Sequence, residues 1–131
     1  MLLKYETNKG RDFVFLIDQL HPLNDRKAKQ MNKAIVQIFD NHIQPNDRVC
    51  LIKFGKERYA EKIFSLVVKK QNLTQLRNQL LMIHKDFEGK KREIREADRK
   101  LFAKAIKTTL GEFKNHIQNK KWLLIFSTQV P

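Results

Sequence analysis

Cysteine occurs once in the 131 residues, at Cys50. One thiol cannot close an internal disulfide, so the fold has to rest on its apolar core. Cys50 lies inside the run Val49-Cys50-Leu51-Ile52, which marks it as a buried structural group with little reactivity. Glycine is scarce, at positions 10, 55, 89 and 111, and no G-x-G-x-x-G or G-x-x-x-x-G-K-[ST] string is present. The common phosphate-cradling loops are therefore excluded. No apolar run approaches the roughly 18–20 residues of a membrane-spanning helix. The opening Met1-Leu2-Leu3-Lys4-Tyr5-Glu6 carries no secretory apolar segment. Together with the lone thiol, these absences point to an intracellular, cytoplasmic setting. Acidic residues are also few, 14 against 27 lysines and arginines, which leaves a formal charge of +13.

That charge permits attraction to nucleic acid, anionic lipid or acidic proteins without choosing among them. Its densest cluster, Lys90-Lys91-Arg92, is the candidate anion-binding patch. Glu93 and Glu96 follow it closely, and no aromatic residues interleave as a base-stacking platform requires. A solvated basic surface is the simpler reading. The four histidines, His21, His42, His84 and His116, are too scattered for a metal-ligand spacing, and no cofactor is expected.

Against these shortages stands a real apolar content, 41% of residues with nine phenylalanines. It suffices for one folded domain, expected over residues 11–131 with a short N-terminal extension at 1–10. Residues 12–18 read as a strand that is apolar on both faces, the pattern of a central position in a sheet. Asn24 or Asp25 caps a helix running from Arg26 to Ile43, whose stripe is Ala28, Met31, Ile35, Ile38 and Phe39. Gln44-Pro45-Asn46-Asp47 turns the chain into a second strand, Arg48 to Phe54. The reversal Gly55-Lys56-Glu57-Arg58 leads to a third, Glu61 to Val68, antiparallel because a parallel crossover needs a dozen or more residues. A short helix follows from Leu73 to Ile83, with Asn72 as its cap. Lys85 to Lys100 reads as a charged loop entering a helix with the stripe Phe102, Ala105, Ile106, Thr109, Phe113 and Ile117. Trp122 to Phe126 is the last strand. The order β-α-β-β-α-α-β predicts an α/β layer fold with helices over a mixed sheet.

Several strings in this order resemble the von Willebrand factor type A domain. Phe13-Val14-Phe15-Leu16-Ile17-Asp18 is similar to that family's first strand and its leading metal-site aspartate. Asp47-Arg48-Val49-Cys50-Leu51-Ile52-Lys53-Phe54 is similar to its second strand, D-R-V-x-L-I-x-F. Leu73 to Leu80 resembles the helix after the third strand. Lys120-Lys121-Trp122-Leu123-Leu124-Ile125-Phe126 falls where the fourth strand precedes a T-D-G turn. The resemblance covers residues 11–131 and implies a Rossmann-like three-layer sandwich with sheet order 3-2-1-4 and strand 3 antiparallel. It also implies a chain that stops after the fourth strand. Either the sequence is a fragment, the favoured reading, or a partner completes the sheet over an apolar edge that is otherwise a pairing liability.

The family's site holds a divalent cation through a D-x-S-x-S loop, a later threonine and the aspartate of the T-D-G turn. Hard cations of this kind need oxygen ligands. Here Asp18 fits the first position, but Leu20 and Pro22 stand at the two serines. The T-x-x-x-x-A-[LI] spacing ending at Ala105-Ile106 puts Lys100 at the threonine. Thr128, preceded by Ser127, stands at the aspartate. The resemblance therefore implies a degenerate metal site. Two readings of Asp18 stay open: it caps the turn that follows it, or its carboxylate pairs with the Lys100 ammonium in place of the cation. The expected function is a non-catalytic protein-interaction module that no longer captures ligands through a metal. Asp18, His21 and Thr128 mark a possible interaction edge. The alternative is a basic module that binds nucleic acid or anionic lipid.

Overall fold

The computed structural model describes residues 10–55, 60–88, 96–114 and 120–127. Residues 1–9 of the expected extension, the Lys90-Lys91-Arg92 cluster and Thr128 lie outside the described residues. Four strands, β1 (Asp12–Asp18), β2 (Arg48–Phe54), β3 (Ala60–Val67) and β4 (Lys121–Phe126), form one sheet in the order β3-β2-β1-β4. β1 pairs in parallel with both β2 and β4, whereas β2 and β3 are antiparallel. The helices are α1 (Asp25–His42), α2 (Leu73–Leu81), α3 (His84–Phe87) and α4 (Glu96–Lys114). This is the mixed α/β sheet expected from the order of elements.

β1 is buried at every position, Asp12 through Asp18. Because successive side chains point to opposite faces, β1 feeds two cores. Phe13, Phe15 and Ile17 meet Ile35 and Phe39 of α1 and Leu76 and Leu80 of α2 on one face. Val14 and Leu16 join Cys50, Ile52 and Phe54 of β2 under Ala105 of α4 on the other. Phe15 and Leu16 are wholly inaccessible, and each such side chain contributes roughly 1.5–3 kcal/mol relative to exposure. The first core is larger because three helices cover it.

α1 starts where Asn24, in extended backbone, accepts the Lys27 N–H at 2.9 Å, so Asn24 is the cap. Its C-terminus runs into a turn with Pro45 at the second position and Asn46, φ 79°, at the third, closed by Asp47 N–H to Gln44 C=O. Asparagine is among the few residues that tolerate this left-handed backbone.

Two local expectations change. Asn72 does stand at the start of α2, but its side chain makes no helix-capping bond. Its carbonyl accepts the Lys69 N–H and its amide donates to Val67 C=O, so Asn72 closes the β3–α2 turn instead. The segment expected to be loop from Lys85 begins as a helical turn, α3, because Phe87 is pulled into the larger core. Leu23 N–H donates to Phe87 C=O at 2.6 Å, and Leu23 bridges Glu88 in parallel.

Candidate functional site

At the end of β1, pairing with β2 continues one residue past the strand, Gln19 N–H donating to Phe54 C=O at 2.9 Å. The chain then turns away sharply. Asp18 Oδ1 accepts the Leu20 N–H at 2.7 Å, the local side-chain-to-backbone bond that Asp makes in such turns. Asp18 Oδ2 accepts from His21 Nδ1 at 2.7 Å and from the Ser127 hydroxyl. A carboxylate can only accept, so His21 carries a proton on Nδ1. The Asp18 side chain is 1% exposed and that of His21 21% exposed, so the imidazole is the solvent-facing cover of a buried carboxylate.

Sheet register explains the Ser127 contact. Ile17 lies opposite Phe126 in the parallel β1–β4 pair, and the next step brings Ser127 to Asp18. The resemblance puts Thr128 at the aspartate of the T-D-G turn and gives no sign of Ser127 as a partner. Counting the register from the strand order 3-2-1-4 is the signal that could have found it.

Leu20 is 2% exposed and turns back into the core beneath α4. Gly55, φ 105°, makes room for it. A Cβ there would approach Leu20 Cγ at 2.6 Å and the Leu20 backbone N at 2.9 Å. Pro22 is half-buried in the same loop, and Leu23 anchors its far end on Phe87. The β1–α1 loop is thus fixed at three points: the Asp18 turn, the Leu20–Gly55 contact and the Leu23–Phe87 bond.

Lys100 is exposed on α4, and Asp18 is bonded to Leu20, His21 and Ser127. Of the two open readings of Asp18, the turn-capping one is what the geometry displays. His21, expected beside the site, is part of it.

Chemically the trio differs from a nucleophilic triad. There an imidazole sits between hydroxyl and carboxylate and takes the hydroxyl proton. Here the carboxylate sits between imidazole and hydroxyl, and Ser127 donates directly to it. Among the described residues, no group of three or more His, Cys, Asp or Glu is placed to hold a metal ion. Cys50 is 3% exposed, and burial pushes its thiol up to about 11. The thiolate that does chemistry is thereby suppressed near neutral pH. No helix among the described residues is long and apolar enough to cross a membrane. Compared with known proteins, the chain matches no family model and no curated protein.

Proposed function

We propose that this chain is a von Willebrand factor type A-like domain that has lost metal-dependent ligand capture and works as a non-catalytic protein-interaction module in the cytoplasm. One observation carries the reading: the carboxylate that would lead a metal site is already satisfied by three protein donors. Leu20, at the position of a metal-binding hydroxyl in the family it resembles, is a core residue instead. A cation entering there must strip the Asp18 contacts and meet an apolar neighbour, a poor exchange for an ion that needs oxygen ligands. The sheet order supports the same family reading.

The test is a binding assay against a candidate protein partner with and without EDTA, alongside thermal melts with and without Mg²⁺. Binding and melting temperature are expected to be the same in both conditions. Chelator-sensitive binding, or a melting temperature that rises with Mg²⁺, sinks the proposal.

The formal charge of +13 favours a second reading, a basic module that contacts nucleic acid or anionic lipid. Phosphate-driven binding to nucleic acid falls steeply as salt is raised, because counterions compete. Affinity for an oligonucleotide that barely moves across a salt titration excludes that reading.

A further inference from the structure

The two long helices turn different surfaces outward. On α4 the sheet-facing stripe is Ala105 and Thr109, both wholly buried, with Phe102 and Ile106 packed beside them. Lys107 stands two residues on from Ala105, about 200° around the helix axis, and so points away from the sheet. Lys100 and Lys114 lie seven residues to either side of it, two helical turns each way, and Lys104 fills the turn between. All four are exposed, in a row roughly 21 Å long at 1.5 Å per residue.

From Arg99 to Lys114 the one acidic residue is Glu112, and it is turned inward. Its side chain is 13% exposed and holds Lys62 of β3 at 2.8 Å. Glu96 and Asp98 stand in the first turn, where acids suit the helix dipole. α1, on the opposite face of the sheet, is mixed instead. Lys29 pairs with Asp25 at 3.1 Å, and Asp40 with Arg77 of α2 at 2.9 Å. Positive charge is thus gathered in a row of one sign on α4.

The neutral neighbours of that row select its ligand. They are Ala103, Thr108 and Gly111, with Leu110 at the margin. Thr108 turns its hydroxyl back to the Lys104 carbonyl at 3.0 Å. Among the described residues of this face there is no aromatic ring on which an unpaired base could stack. One leucine is too little apolar surface for a helix lying in a membrane interface. Protein partners seat aromatic residues or arginine at the centre of a contact, where lysine is depleted. Lysine does suit phosphate, as a point charge. We propose that the outer face of α4 contacts the phosphate backbone of a nucleic-acid duplex without reading its bases. The inference rests on the basic-module reading and names its surface and its ligand.

The full chain is titrated with a short DNA duplex and its RNA counterpart over a range of salt. One variant combines Lys100→Gln, Lys107→Gln and Lys114→Gln. A control combines Arg26→Gln, Lys27→Gln and Lys33→Gln on α1, which removes the same charge from the other face. The α4 variant should flatten the plot of log affinity against log salt by about 2–3 units and weaken low-salt binding roughly tenfold or more. The α1 control should change both far less. Gly111→Lys adds a cation to the row where a Cβ meets nothing within 4 Å. It should steepen the slope by about one. Circular dichroism checks that each variant folds. Equal losses from the two triple variants overturn the α4 surface and leave the basic-module reading standing. Tighter binding to oligo(dT) than to either duplex makes a single strand the ligand and overturns the proposal. Binding to phosphatidylserine vesicles but to neither duplex makes a membrane the ligand, with the same result. Binding to none of these at low salt removes the basic-module reading as well.

Discussion

Two of the three buried aspartates among the described residues, Asp47 and Asp18, lie at opposite ends of the parallel strands, and they are held by different kinds of partner. Asp47, just before β2, is 4% exposed and accepts from the backbone of Arg11 and Gln44 and from the Arg11 guanidinium. Arg11 also donates to His42 C=O at the end of α1 and lies over the Phe13 ring at 5.0 Å. One ion pair thus ties the entry to β1, the end of α1 and the start of β2. Asp18, at the other end, is 2% exposed, but its side-chain partners are an imidazole and a hydroxyl. A guanidinium is charged at any working pH and binds in a fixed fork, whereas an imidazole and a hydroxyl form fewer and weaker bonds. The amino end of the sheet is built for stability. The carboxyl end closes over a carboxylate with groups that can exchange their partners.

If that contrast holds, Asp47→Ala should be the most damaging change at either end. It removes the carboxylate partner of the Arg11 guanidinium and leaves two backbone N–H groups without an acceptor, at a cost of about 2–4 kcal/mol. A lower urea midpoint with an unchanged slope is the expected result. A loss no greater than that of Asp18→Asn would erase the distinction. Next in size is Gly55→Ala, at roughly 1–3 kcal/mol. The backbone there is left-handed, and the added Cβ meets Leu20. Because this contact sets the β1–α1 loop, the variant should also shift the His21 ring resonances in an NMR spectrum. Unchanged resonances would mean that the Asp18 turn holds the loop without Gly55.

Asp18→Asn should cost about 1–2 kcal/mol: the amide oxygen can keep the Leu20 N–H, but the NH₂ group only donates, so His21 must switch tautomer or Ser127 must turn its hydroxyl to accept, and the charge-assisted bonds are lost. Its effect is read in the same urea titration, and a stabilising outcome would show the buried carboxylate to be a net burden. The smallest change is His21→Ala, about 0.5–1 kcal/mol, because water can replace a partly exposed imidazole. A loss comparable with Asp47→Ala would place His21 among the structural anchors instead.

Much of the fold was legible because it depends on local pattern. The run Phe13 to Ile17, apolar without alternation, marks a strand covered on both faces, and Ala28, Ile35 and Phe39 mark the helix beside it. The loop between β2 and β3 is too short for a crossover, which makes that pair antiparallel. The misses share one physical origin. Asn72 has the composition of a helix cap, but its side chain finds better partners across the β3–α2 turn. Phe87 lies in a charged segment that looks like loop, and only the core waiting for its ring turns His84 to Phe87 into a helical turn. At the carboxyl edge, Asp18 was visible as a strand-end carboxylate and His21 as its neighbour. The contact from Ser127 was not, because it joins residues 109 apart in sequence.

By itself, the sequence determined the four strands and the helices that carry a clear apolar stripe, that one thiol would be buried, and that Leu20 and Pro22 bring no oxygen to Asp18. These follow from side-chain chemistry and from periodicities of a few residues. Only the tertiary structure decided who occupies Asp18, that Leu20 folds back onto Gly55, and that Trp122 and Ile125 of β4 stay exposed while Phe126 is buried. Those outcomes depend on strand register and helix placement, where groups far apart in the chain compete for the same acceptor or the same space.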